Sequence, residues 1–104
     1  MWARAVRYDS VTEENWKIGC EWFTNDYLPI AAQTEGFAGA YLLHDMERMC
    51  TMSITLWRDE ETVRASGEAV QQHLDAWEEM TGIKGTVETY EVFAKELPKG
   101  APED

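Results

Sequence analysis

Residues Gly36–Trp57 read GFAGAYLLHDMERMCTMSITLW, two apolar runs split by the charged segment Asp45-Met46-Glu47-Arg48. Short apolar runs on either side of a polar turn form a β-hairpin. The first arm is expected over Phe37–His44 and the second over Met49–Trp57. Closure on Met46-Glu47 sets Asp45 opposite Arg48 and His44 opposite Met49. It also sets Leu42 opposite Thr51, Ala40 opposite Ser53 and Ala38 opposite Thr55. Alternation then gives two unlike faces. One is bulky and apolar, with Phe37, Gly39, Tyr41, Leu43, Cys50, Met52, Ile54 and Leu56. The other is a row of small residues, Ala38, Ala40, Ser53 and Thr55, bracketed by His44 and Trp57. Neither face suits water, which predicts a sheet covered on both sides.

The flanking segments supply the cover. Upstream, WARAVRY at residues 2–8 is a first strand with Trp2, Arg4, Val6 and Tyr8 on one face. Asp9, Ser10 and Thr12 are candidate caps for a helix expected from about Thr12 to about Gln33. Trp16, Cys20, Phe23, Tyr27 and Ile30 form its apolar stripe. Pro29 predicts a kink near Asn25 or Asp26. Trp22 falls off the stripe, as a flank or interface residue does.

Downstream, Asp59 caps a second helix whose first turn carries Glu60 and Glu61. Val63, Gly67, Val70, Leu74, Trp77 and Thr81 hold helical phase up to Gly82, and Gly67 can mark a bend. Residues 86–94, TVETYEVFA, make the last strand. The order strand, helix, strand, strand, helix, strand is the α+β, ferredoxin-like βαββαβ pattern, a four-stranded antiparallel sheet with two helices on one side. A single domain over residues 1–96 and a loose tail over 97–104, LPKGAPED, follow from the Pro- and charge-rich end. The bulky face, bare on the side away from the helices, calls for a homodimer joined sheet to sheet.

The chain has 104 residues and a formal charge of −11. That balance excludes nucleic acid and anionic membrane surfaces, which need clustered Lys and Arg. Five Trp, four Tyr and three Phe are a large aromatic mass for this size, supplying core, or else a pocket or interface. Cys20 and Cys50 lie in apolar runs and read as buried free thiols. There is no signal peptide and no apolar run near 18 residues, so a soluble cytoplasmic protein is expected. The His and Cys residues, at 20, 44, 50 and 73, have no metal-ligand spacing. No phosphate-binding glycine loop and no Gly-x-Ser-x-Gly elbow is present.

Gly36-Phe37-x-Gly39 entering the second strand, and Leu56-Trp57-Arg58-Asp59-Glu60-Glu61 leaving the third, resemble the antibiotic biosynthesis monooxygenase type of dimeric α+β barrel over roughly residues 2–95. The resemblance implies a homodimer, a small aromatic ligand and no cofactor. Its members include cofactor-free quinol or anthrone monooxygenases and haem-degrading enzymes, and related barrels include polyketide cyclases. The haem-degrading pattern of a first-strand Asn with a Trp and a His in the second helix region does not fit. The first strand here has no Asn, Ser66 stands near the expected Trp, and His73 and Trp77 have the wrong spacing and order.

Cofactor-free oxygenation needs a dry pocket, a base or hydrogen-bond partner favouring the substrate anion, and a shape that shields the intermediate. The small-residue face offers room for a flat ligand. His44 and His73 are the candidate catalytic residues. Phe23, Tyr27, Ser53, Thr55, Trp57 and Trp77 are the candidate pocket residues. Each also has an ordinary role in packing or solvation, and the small face could meet the dimer partner instead. The expected activity is a cofactor-independent monooxygenase acting on an aromatic polyketide or quinol-like molecule. The alternatives are a non-catalytic small-molecule-binding or stress-related protein of the same fold, or a cyclase or isomerase using His44 or His73 as acid/base.

Overall fold

The computed structural model describes residues 1–94, so the tail expected at 97–104 lies outside the described residues. Strand β1 (Trp2–Tyr8) leads to helix α1 (Glu13–Trp22), a π-helical turn (Phe23–Tyr27) and a short helix α2 (Leu28–Ala32). Strands β2 (Phe37–Asp45) and β3 (Cys50–Trp57) form the hairpin. Helices α3 (Glu60–Ala65) and α4 (Gly67–Thr81) and strand β4 (Thr86–Glu91) complete the fold. The strands lie in the order β2-β3-β1-β4, all neighbours antiparallel, which is the ferredoxin-like arrangement. The last strand is shorter than the 86–94 read from the sequence.

The hairpin closes differently from the tight turn expected. His44 pairs with Thr51 and Asp45 with Cys50, where the sequence had set His44 opposite Met49. The cause is the side chain of Asp45, whose Oδ1 accepts the backbone N–H groups of Glu47 (3.1 Å) and Arg48 (3.3 Å). Met49 then closes the longer turn in the left-handed region, at φ 54°. The slip is two residues, an even number, so every side chain keeps its face. A bulge between Phe37 and Gly39 is the exception. Gly39, at φ 144°, supplies a conformation that residues with a Cβ avoid. The bulge turns Phe37 onto the helix side, edge-on to Trp57 at 5.7 Å, not onto the bulky outer face.

Thr12 is the cap of α1, its hydroxyl accepting from the Asn15 N–H at 3.1 Å. The predicted break falls one turn before Pro29, as a π turn in which Leu28 N–H reaches the Phe23 carbonyl. Pro29 has no N–H to give and its ring crowds the carbonyl four residues back, so a widened turn accommodates it. Five residues between partners instead of four advance the helix phase. Ala31 is buried and Ile30 is 53% exposed, which corrects the stripe. The second helix breaks at Ser66 into α3 and α4, yet Val63, Val70, Leu74 and Trp77 stay buried across the break. Asp59 and Thr62 form a reciprocal capping box ahead of α3.

The core lies between the helices and one sheet face, around Val6, Phe23, Tyr27, Ala31, Val70 and Leu74. On the other face Tyr41, Leu43 and Tyr90 are 61%, 48% and 51% exposed, beside half-buried Met52, Ile54 and Leu56. Cys20 and Cys50 are free thiols, half-buried and not fully buried as the sequence had suggested. Among the described residues no helix is long and apolar enough to cross a membrane.

Candidate functional site

The inward side chains of β3 are Thr51, Ser53 and Thr55, all buried. Small side chains at consecutive inward positions leave a trough under the helices, because nothing from the sheet fills it. Two adjacent chambers occupy this trough, and Tyr8, Trp22, Phe23 and Ser53 border both.

The first chamber has about 40 Å³ of open space and is walled by Trp16, Trp22 and Trp77, with Thr51 below and Gly19 above. Gly19 is required there, since a Cβ would stand 2.6 Å from Cη2 of Trp77. Tyr8 meets Trp77 edge-on at 5.6 Å, and Trp22 stacks on it at 6.1 Å. The Nε1–H of Trp77 is buried without an acceptor among the described residues, and a buried donor left unmatched costs about 1–3 kcal/mol.

The second chamber has about 20 Å³ of open space and is lined by Arg4, Tyr27, Thr55, Val70, His73 and Leu74. His73 sits between two aromatic edges, 5.1 Å from Trp22 and 4.9 Å from Tyr27. Burial pushes its pKa below the ordinary imidazole value, and Asp26 opposes that only in part. The ring is therefore neutral at pH 7 and free to accept a proton. Burial raises the Tyr27 phenol, opposed by Arg4 and by a hydrogen bond with Thr55, and raises the Tyr8 phenol as well. Both remain O–H donors at neutral pH.

The two candidate histidines fall in different places. His44 lines neither chamber. It lies flat against Trp16 at 4.0 Å, with Nδ1 2.9 Å from the Thr51 hydroxyl and Nε2 2.8 Å from the Met46 sulfur. Phe23, Tyr27, Ser53, Thr55 and Trp77 line one chamber or both. Trp57 lines neither. It is 1% exposed, donates to Thr55 Oγ1 at 3.0 Å, and stands behind Arg4 as core. A roomier groove of about 260 Å³ between α4 and β4 is edged by Gln71, Asp75, Glu78 and Lys84 and has no aromatic wall.

Sequence reasoning passed over Arg4, Tyr8, Trp16 and Trp22 as site residues. Trp22, read as a flank, is a wall of both chambers. The signal for Arg4 was present in part: the strand alternation had already put it on one face with Val6 and Tyr8, the face that the structure turns inward. A charged residue in an inward series calls for a function or a partner. Nothing comparable marked Trp22, because its orientation depends on the packing of α1 against α4.

No protein-family model matches this sequence, and no curated protein does. Solved structures do match the fold. A monooxygenase from the gene ActVA-Orf6 of Streptomyces coelicolor, in complex with nanaomycin D, superposes with a TM-score of 0.78 at 14% identity, covering 94% of this chain and 92% of that one. SnoaB, a cofactor-independent oxygenase from Streptomyces nogalater, gives 0.71 at 15% identity over 94% and 97%. MhuD, a haem degrader from Mycobacterium tuberculosis with two haems bound in its active site, gives 0.66 at 15% identity over 91% and 99%. The chain thus has the fold seen in antibiotic biosynthesis monooxygenase structures, and at these identities the likeness extends to the fold alone.

Proposed function

We propose that this protein is a cofactor-independent monooxygenase acting on a flat aromatic phenol, quinol or anthrone held in the two-chambered cleft. The observation that carries this is His73, a base kept neutral by burial against the partial opposition of Asp26, and set against Trp22 and Tyr27 in a chamber that no carboxylate lines among the described residues. SnoaB, of the same fold, is a cofactor-independent oxygenase, and the ActVA-Orf6 monooxygenase binds nanaomycin D in a chain of this shape.

The steps balance without a cofactor. For an anthrone-type methylene, His73 takes one C–H proton, and the electron-rich anion left behind donates to O₂. A carbon–oxygen bond forms, and the proton returns to the distal oxygen, giving a hydroperoxide. His73 removes the second C–H proton as the O–O bond breaks, leaving a carbonyl and hydroxide. The imidazolium then protonates the hydroxide. One oxygen atom stays in the product and the other leaves as water. Tyr27 and Arg4 face the anion, and the aromatic walls exclude water.

Open space of about 40 Å³ and 20 Å³ is far less than a polycyclic ligand needs. Binding therefore displaces the half-buried Trp22, which borders both chambers. The functional unit in this proposal is a homodimer through the outer sheet face, where exposed Tyr41, Leu43 and Tyr90 surround Ile54 and Met52. A stable dimer buries about 1,200–2,000 Å² in total, within reach of such a sheet. Oxygen uptake measured with anthrone under air is the test. Stoichiometric uptake with appearance of the quinone supports the proposal. Binding without uptake identifies a ligand-binding protein, and an isomeric product formed without oxygen identifies a cyclase or isomerase.

A further inference from the structure

Arg4 is a permanent cation inside the protein, 5% exposed and on the central strand pair of the sheet. Its Nη1 donates to Ser66 Oγ at 2.8 Å and its Nη2 to the Val63 carbonyl. Trp57 presents its ring 5.9 Å from the guanidinium carbon. These partners are neutral. The chain has 20 Asp and Glu residues, yet among the described residues none lies within 4.0 Å of Arg4. Among the described residues no acidic side chain borders either chamber. A buried charge is ordinarily paired, and the guanidinium has five N–H donors, of which Ser66 and Val63 engage one each.

Burial lowers the pKa of Arg4, but arginine starts so high that the side chain stays charged across the physiological range. In a protein of net charge −11, the cleft is a local positive site in a negative surround. At physiological ionic strength the surround is screened beyond about 8 Å, so a ligand inside the cleft meets mainly the nearby cation. A second unmet group lies close by: Trp77, a wall of the neighbouring chamber, has its Nε1–H buried without an acceptor among the described residues.

We propose that Arg4 selects the ligand class: the cleft takes a flat aromatic molecule bearing one ionised oxygen, a phenolate or a carboxylate, and seats that oxygen against the Arg4 guanidinium. Tyr27, on the same chamber, donates a second hydrogen bond to it. The inference deepens the oxygenase proposal by naming the ionisation state of its substrate, and it rests on the same cleft. It stands or falls on binding, so it can be tested without turnover. Arg4 also ties β1 to the α3–α4 junction through Ser66 and Val63, so the test must separate charge selection from scaffolding.

The experiment is calorimetric titration of the protein with 2-naphthoate and its neutral methyl ester, and a spectrophotometric titration of bound 2-naphthol across pH. Wild-type protein is expected to bind the carboxylate about tenfold more tightly than the ester, or to lower the pKa of bound 2-naphthol by about one unit or more. The arm that responds identifies which anion the site prefers. Arg4→Met is expected to abolish that response while keeping its affinity for the neutral ester. Arg4→Lys, which keeps the charge and loses the fork, is expected to retain part of it. Equal affinity for acid and ester together with an unshifted naphthol pKa in the wild type overturns the proposal, as does failure to bind any of the probes. A charge preference that survives in Arg4→Met also overturns it. If Arg4→Met does not fold, the wild-type comparison and Arg4→Lys still decide. Charge-selective binding without oxygen uptake refutes the oxygenase and leaves this inference standing. Oxygen uptake with no charge preference does the reverse.

Discussion

Gly19→Ala is expected to loosen the packing of α1 on α4, although alanine is the better helix former. The added Cβ would lie 2.6 Å from Cη2 and 2.9 Å from Cζ3 of Trp77. Carbon atoms in contact prefer about 3.5–4.0 Å, so roughly 1 Å of separation must be found. Trp77 cannot supply it easily, being 4% exposed and hemmed in by Tyr8 and Trp22. Overpacking of this kind costs about 1–3 kcal/mol, and the helix propensity gained is about 1 kcal/mol. The net loss is about 1 kcal/mol, equivalent to a fall of about 4–8 °C in Tm for a domain near this size. Gly67→Ala is the internal control, since its Cβ would meet only Nη2 of Arg4, at an ordinary 3.8 Å. That variant is expected to gain up to about 1 kcal/mol from propensity alone. Thermal melts of the two variants beside the wild type read both signs. A Gly19→Ala protein that melts at or above the wild type would refute the packing argument.

His73→Gln is expected to reduce oxygen uptake by about 10²–10⁴-fold, the usual contribution of a general base, while His44→Gln leaves it unchanged. The His73 pKa is lowered, so uptake should hold through neutral pH and fall on acidification, with its midpoint below about 6.5. The same sign governs folding: the unfolded chain binds the His73 proton more readily, so the stability His73 contributes is complete above about pH 6.5. It is lost as pH falls through the lower folded value, read by urea melts at several pH values. Ile54→Lys, which puts a charge on the outer sheet face, should give a monomer by light scattering under conditions where the wild type is a dimer. Met49→Gly should stabilise the hairpin by about 1 kcal/mol in denaturant melts, because it relieves a left-handed residue that carries a Cβ.

The architecture was legible because it rests on periodicity. The alternation in Gly36–Trp57 separated a small face from a bulky one, and that separation survived a wrong turn assignment because the register error was even. Phe37 escaped it because one bulged residue reverses every side chain beyond it, and the glycines permitting a bulge look the same as glycines that merely end a helix. Ile30 escaped for a related reason: a 3.6-residue period cannot anticipate one turn of a different pitch. In the candidate site, Phe23, Tyr27 and Trp77 were legible as inward positions on helical stripes. Trp16 was legible in the same way, on the stripe of α1, although not as a site residue; Trp22, off that stripe, depended on how α1 packs against its neighbours, which local sequence does not encode. His44 and His73 were indistinguishable as residue types. The sequence already set His44 beside the hairpin turn, but only the tertiary packing sets His73 between aromatic rings.

The π turn has a further consequence, for how chains of this shape can diverge. Phe23–Tyr27 holds one residue more than an α-helical path between α1 and α2 requires. Deleting a single exposed position there, such as Asn25, would restore the ordinary pitch while α1 and α2 each keep their present phase, because the widened turn is what absorbs the extra residue. Phe23, Tyr27 and Ala31 would keep their inward places, and strand pairing and the βαββαβ order would be untouched. The cleft is thus indifferent to one codon's worth of chain length, and an alignment that forbids gaps inside helices would misplace every residue on one side of the turn.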